Sequence, residues 1–320
     1  MRKQRAGRVA ALGLAAAAFG CAHAPPPTRP YPPPLAETLL AGLRSHQAAV
    51  ASASARVRAT SWLGGERVRA TVNMLIERDG HLRFEAEVSL QGMVAALTTD
   101  GHTFALYDAR KQEFSRGPAC PANVASLIRI PLAPGDVAAV LLGDARKQEF
   151  SRGPACPANV ASLVRIPLAP ADVAAVLLGD ARLPPPLAGA PEAGANVAWD
   201  PSRGADVIVL RDPAGGDLYL YFHGQAADGP RDLVGVVRTG RDGARLWQTA
   251  YEDFEIVGGV RLPKRIRFAE GNGSFDDGVE IQFKDRSLNA PATPNAFALA
   301  PPAGVAVRDV GCPPPAPATP

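Results

Sequence analysis

The side chains that most often carry catalysis are scattered along this 320-residue sequence. No two histidines are spaced i, i+4 and no His-Glu-x-x-His stretch occurs, so a zinc site is not expected. The histidines are His23, His46, His81, His102 and His223. The sequence also lacks a Gly-x-Ser-x-Gly motif, a P-loop and a Gly-x-Gly-x-x-Gly motif after a strand. We therefore predict no catalytic residue, no metal and no cofactor, and we do not expect an enzyme.

Three local features could still do chemistry, but each has a simpler interpretation. Gly271-Asn272-Gly273-Ser274 is more typical of a hairpin turn than of a phosphate-binding loop. Asp276 and Asp277 could bind a cation, although adjacent carboxylates beside a glycine usually mark a solvated turn. His223 ends a predicted strand and is expected to be a strand-end residue rather than a base.

Cys21 is the residue whose surroundings predict a specific chemistry. It follows a basic start, Met1–Arg8, and an apolar run, Val9–Phe19, shorter than the ~20 residues that a spanning helix needs. Ala18-Phe19-Gly20-Cys21 resembles the lipobox of bacterial lipoprotein signals, which implies a diacylglycerol on the Cys21 thiol and cleavage just before it. Because Ala22 follows rather than Asp, this resemblance implies the periplasmic side of the outer membrane. The alternative is an ordinary signal peptide, with Cys21 incidental.

The other cysteines are Cys120, Cys156 and Cys312. The periplasm permits disulfides, so Cys312 could pair with Cys120 or with Cys156. Three free thiols are the alternative. The net charge of +3 carries no basic block beyond the start, so nucleic acid is not expected as a partner.

Alternating strands dominate the predicted elements. Helical spacing of leucines predicts a helix from Leu35 to about Ala51, after which the period changes to two. Asp79-Gly80 predicts a hairpin between two such strands. Strands are predicted around residues 57–60, 68–76, 82–90, 93–99, 104–107, 111–115, 207–210, 218–222, 233–238, 244–254, 262–268, 279–283 and 305–310. Helical and loop material is expected between about 120 and 190, including a helix at 172–178.

These elements predict a mainly β protein with helices (α+β), built as a curved antiparallel half-barrel sheet with a helical lid. A meander this long curls, because twisted sheets of more than ~10 strands seldom stay flat. The predicted organisation is a signal peptide (1–20), a Pro-rich tether (21–34), one domain (35–311) and a Pro-rich tail (312–320). We expect the tether to be extended and unpacked.

A near-identical tandem duplication interrupts the domain. Residues 109–144 and 145–180 differ only at Ile128/Val164 and Gly135/Ala171. A single copy would suffice for the fold, so one copy is predicted to be dispensable. The strand 111–115 of the first copy is expected to pair with 104–107, because a turn joins them.

The order of parts resembles the LolA/LolB lipoprotein-carrier superfamily: a helix, a long meander, interrupting helices and more meander. Similar stretches are Phe104–Asp108, Ile166–Leu168 before the helix ending Leu177-Leu178-Gly179, Tyr251–Phe254 leading to Gly259–Pro263, and Phe297–Leu299 with Pro301–Val305. The resemblance covers about residues 35–310, and the N-terminal lipid makes it more like LolB than soluble LolA. The duplication departs from the family pattern where the lid would lie.

The resemblance implies an apolar cavity for acyl chains on the concave face of the sheet. Its candidate lining is Val72, Met74, Phe84, Val88, Phe104, Leu106, Leu220, Phe222, Ile266, Phe268, Ile281 and Phe283. An ordinary covered sheet face is the alternative. LolB-like proteins also carry an exposed apolar hairpin tip that meets the membrane. The candidate here is Leu90-Gln91-Gly92-Met93, with Leu90 and Met93 as the membrane-contact residues; an ordinary tight turn is the alternative.

Two functions remain open at this stage. The first is an outer-membrane-anchored carrier that binds acyl chains of lipids or lipoproteins, with a periplasmic carrier protein as a possible partner. The second is a structural or sensory envelope lipoprotein that uses the same fold as a protein-binding platform, since a fold does not fix a function.

Overall fold

The computed structural model describes residues 28–63, 66–88, 92–109, 111–120, 123, 168–185, 196–213, 215–224 and 231–312. The predictions for Cys21, Leu90 and Cys156, for the side chain of Val88 and for most of the duplicated unit lie outside these residues.

Two α-helices are present among the described residues. Helix α1 spans Ala36–Ala49 and buries Leu39, Leu40 and Leu43, the apolar stripe that predicted it. Helix α2 spans Pro170–Leu177, with proline at its first position, where the missing N–H costs nothing.

Fourteen strands form the rest of the described fold. The first six are β1 Ser52–Leu63, β2 Glu66–Glu77, β3 His81–Val88, β4 Gly92–Asp100, β5 Thr103–Asp108 and β6 Glu113–Pro118. The others are β7 Val197–Asp200, β8 Ala205–Arg211, β9 Asp217–Gly224, β10 Arg231–Thr239, β11 Arg245–Val257, β12 Val260–Glu270, β13 Val279–Leu288 and β14 Ala306–Asp309. A 3₁₀ turn, Phe275–Asp277, precedes β13.

All fourteen strands belong to one curved, unclosed sheet, which confirms the predicted α+β half-barrel. The strand order is β14-β6-β5-β4-β3-β2-β1-β13-β12-β11-β10-β9-β8-β7. Pairing of β1 with β13 joins the two meanders, and β5 pairs with β6 as predicted. One pairing differs from the expected antiparallel pattern: β14 lies parallel to β6, because the chain returns from β13 to the far edge before forming it.

The strand register gathers apolar side chains on the concave face. One row across β1 to β5 consists of Ala55, Met74, Phe84, Leu97 and Leu106. In the second half, Ile281 pairs with Ile266, which pairs with Tyr251. The leucines of α1 and half of the residues of α2 belong to the same hydrophobic core, so the two helices cover this face. On the convex face polar residues pair instead, as Asn73 does with Arg56 and Glu85.

The C-terminal segment folds back over the first half of the sheet. Cys120 follows β6 and forms a disulfide with Cys312, with 6.2 Å between their Cα atoms. This is one of the two pairings left open by the sequence. Strand β14 and the disulfide together fix residues 306–312 to the edge of the sheet.

The described parts of the two duplicated copies are complementary. Strand β6 comes from the first copy, whereas Leu168–Asp180, including α2, comes from the second and corresponds to residues 132–144 of the first. Together they supply the beginning and the end of a single unit. This arrangement is what one copy alone would provide.

Deleting residues 145–180 should therefore leave the fold intact. After the deletion, residues 132–144 can form α2, because they differ from 168–180 only at Gly135/Ala171. We expect a melting temperature equal to or above that of the full chain, since the connection becomes shorter. Thermal unfolding followed by circular dichroism measures it. Loss of soluble expression on deletion would show that both copies are integrated in the fold.

Candidate functional site

The structure brings eleven of the twelve predicted lining residues together in one apolar core. Eight of them are buried: Val72, Met74, Phe104, Leu220, Phe222, Ile266, Phe268 and Phe283. Phe84, Leu106 and Ile281 are partly buried and pack against the same core. Phe84 and Phe222, which come from the two halves of the sheet, therefore both contribute to the same hydrophobic core.

Helix α2 is the most apolar part of the cover. Six of its eight residues are buried, including Val173, Val176 and Leu177. Eight residues are too few for a helix to be stable alone, so packing against the sheet maintains it. It ends in a Schellman motif, in which the Asp180 amide donates to the Ala175 carbonyl (3.0 Å) and Gly179 has φ +82°. This motif directs Asp180 back toward the barrel.

Asp180 connects α2 to three other parts of the fold. Its carboxylate is fully buried and lies 2.7 Å from Arg78 Nη1, at the β2–β3 hairpin. Arg78 also donates to the Val50 carbonyl at the end of α1. The Tyr251 hydroxyl donates to the Asp180 carbonyl at 2.6 Å, and complete burial raises the pKa of this phenol and keeps it protonated. The cover is thus attached at the C-terminal end of α2 by polar contacts, and along α2 by apolar ones.

The segment just before α1 also closes the concave face. Arg29 Nε lies 2.8 Å from the fully buried carboxylate of Asp206, which shares a register row with Phe222. Tyr31 is buried and packs edge-on against Trp199. The expectation of an unpacked tether therefore fails for residues 29 and 31, because Asp206 needs a cation and the tyrosine ring buries apolar area.

Sequence reasoning also missed a buried cation on this face, Arg286 of β13. Its side chain is only 2% exposed. Strict alternation would point Arg286 outward, but a bulge opposite Arg56/Val57 shifts the register and turns it inward. No local signal in the sequence marks this bulge.

Two clefts lie on the convex side of the sheet. The larger, of about 890 Å³, separates β4 to β6 from residues 293–301, and its lining includes Phe114, Phe297 and Leu299. The smaller, of about 370 Å³, has a mixed lining that includes Arg56, Asn73, Glu85, Met74 and Arg286. Neither cleft is lined by α1 or α2.

Glu77, Asp79 and His81 form a group of potential metal ligands that the histidine spacing did not predict. They surround the β2–β3 hairpin, where His81 Nδ1 lies 2.7 Å from Asp79 Oδ1. The carboxylate of Asp79 is largely exposed, so a contact between Asp79 and His81 on a solvated hairpin accounts for the group.

At the candidate hairpin tip, Met93 is 44% exposed.

None of the helices in the described part of the chain combines the length and the apolar character that a membrane span requires.

Comparison with known proteins gives structural likeness without sequence likeness. No protein-family model and no curated protein matches the chain. A domain described as an outer membrane lipoprotein-sorting protein, from Vibrio parahaemolyticus, is 11% identical over 82% of this chain and 97% of its own, with a TM-score of 0.45. A LolA superfamily protein from Nitrosomonas europaea is 11% identical over 81% and 96%, with a TM-score of 0.44.

This chain is similar to LolA-superfamily structures. It is also similar to a DUF1329 family protein from Desulfovibrio piger, at 8% identity over 81% of this chain and 96% of the other, with a TM-score of 0.45. The superfamily expected from the sequence is thus among the structural neighbours.

Proposed function

We propose that this protein is a lipoprotein of the outer membrane, anchored through Cys21 and facing the periplasm, that binds acyl chains of lipids or lipoproteins on its concave face. The observation that supports binding is the set of apolar rows that crosses both halves of the sheet under a small helical cover. It acts by binding and transfer rather than by catalysis.

The energetics favour an acyl chain as the occupant of this face. Each methylene moved from water into an apolar site contributes about 0.8 kcal/mol, and an acyl chain needs no polar partner there. In the present conformation α1 and α2 cover the rows, so a ligand must displace part of the cover. We expect helix α2 to move, because it is short and because an acyl chain can replace the apolar contacts that its sides make.

The anchor is tested by replacing Cys21 with alanine. We expect this variant to leave the membrane fraction or to keep its signal uncut, because no thiol remains to accept diacylglycerol. The measurement is the distribution between membrane and soluble fractions, together with the intact mass of the wild-type protein. An unmodified Cys21, or cleavage elsewhere, would rule out the anchor.

Binding is tested by titrating the purified protein with a fluorescent fatty acid. Saturable binding is expected, with displacement by unlabelled palmitate. If no acyl probe binds saturably, the carrier proposal fails, and a protein-binding platform in the envelope takes its place.

A further inference from the structure

Arg286 lies on the same face of the sheet as the proposed acyl-binding surface. Its register partner on β1 is Ala55, so it continues the row that runs through Met74 and Phe84. Phe283, a fully buried residue of the same strand, places its ring 4.0 Å from the guanidinium carbon. A cation therefore stands at one end of an otherwise apolar row.

The guanidinium of Arg286 is only partly satisfied. Nη2 donates to the Pro263 carbonyl at 2.7 Å and to Glu255 Oε1 at 3.3 Å. Nε and Nη1 are buried and have no hydrogen-bond partner among the residues that the structure describes. Buried donors without partners are rare in folded proteins, because each loses its water without replacement. These nitrogens are thus free to bind an acceptor that enters the site.

The charge balance around Arg286 also leaves room for an anion. Glu255 is partly exposed and lies 3.4 Å from Lys264 Nζ as well, so two cations share one carboxylate. Burial lowers the pKa of Arg286, although a guanidinium stays charged in proteins. By contrast, Asp180 and Asp206 on the same face each have an arginine within 2.8 Å.

We propose that Arg286 binds the oxyanion of an acyl ligand, a carboxylate or a phosphate, while the chain lies along the row of Ala55, Met74 and Phe84. This inference rests on the proposed function and names its ligand class: acyl chains with an anionic head. The Phe283 ring holds the guanidinium in place, and Nε and Nη1 supply the donors. Charge-assisted hydrogen bonds of this kind are the strong ones.

The test compares anionic and neutral ligands with the same chain. Palmitate, hexadecyl phosphate and methyl palmitate compete with an uncharged fluorescent acyl probe, at a pH where the two acids are ionised. We expect at least one acid to bind the wild-type protein about 10- to 100-fold more tightly than the ester. In Arg286→Met this preference should disappear while the ester still binds. The tighter of the two acids identifies carboxylate or phosphate as the preferred head.

The matched control is Arg265→Met. Arg265 of β12 pairs with Glu252 in the sheet and lies beside Asp253, away from the buried core, so its loss should leave the preference unchanged. If the wild-type protein binds acids and ester equally, or if Arg286→Met keeps the preference, the inference is wrong while the carrier function stands. If neither the neutral probe nor an ionised fatty acid binds saturably, the proposed function itself fails. If Arg286→Met does not fold, the comparison of the two acids with the ester in the wild-type protein still tests the inference.

Discussion

Replacing Arg78 with methionine should lower the free energy of unfolding by about 3 kcal/mol, because it leaves the buried carboxylate of Asp180 without its cation. His46 Nδ1, 3.5 Å from the same carboxylate, is the other basic side chain beside it and can replace only part of the interaction. The variant also loses the bonds from Arg78 to the Val50 carbonyl. Denaturant unfolding followed by circular dichroism measures the change.

Two further variants separate the ion pair from general effects of the substitution. Arg265→Met removes a partly exposed arginine paired with Asp253 and should cost less than about 1 kcal/mol. The double variant Arg78→Met/Asp180→Asn should be less destabilised than the sum of its single variants, because removing both partners leaves no buried charge. A cost for Arg78→Met as small as that of Arg265→Met would show that the pair does not hold the cover.

Placing a carboxylate at Phe84 or Phe222 should largely abolish binding of a fluorescent fatty acid. Each Asp would put an unpaired charge into the apolar core, which costs several kcal/mol unless the group stays protonated. Phe84 is only partly buried, so Phe84→Asp has the better prospect of folding. Fluorescence titration gives the dissociation constant.

Glu85→Gln is the matched control for this series, because Glu85 lies on the same strand but faces the convex side, where it accepts a hydrogen bond from Arg83. Its binding should equal that of the wild-type protein. Phe84→Ala enlarges the apolar face without charging it and should keep most of the affinity. Undiminished binding by a folded Phe84→Asp would place the acyl site elsewhere.

The sequence predicted the features that depend on local patterns. Alternation along β2 and β3, with Asp79-Gly80 between them, specified both strands, their hairpin and which side chains face inward. The same rule placed Phe84 and Phe222 in one core. The leucine spacing located α1 to within two residues at either end.

The features that it missed depend on contacts between distant segments or on irregular register. Arg78 and Asp180 are 102 residues apart, and no residue next to either of them in the sequence indicates that they pair. The inward orientation of Arg286 follows from a bulge that leaves Lys284 unpaired and reverses the alternation. The parallel pairing of β14 with β6 depends on the path of the C-terminal segment. The buried charges were therefore not predicted, whereas the apolar rows were.

Photolabelling with a diazirine-bearing palmitate tests the central claim, that acyl chains bind on the concave face, most directly. The protein is irradiated with and without excess palmitate, digested and mapped by mass spectrometry. We predict competable labels on peptides from β3, β9 and β13, which carry Phe84, Phe222 and Phe283. Labels confined to the convex cleft, near Phe297 and Leu299, or no competable label at all, would contradict it.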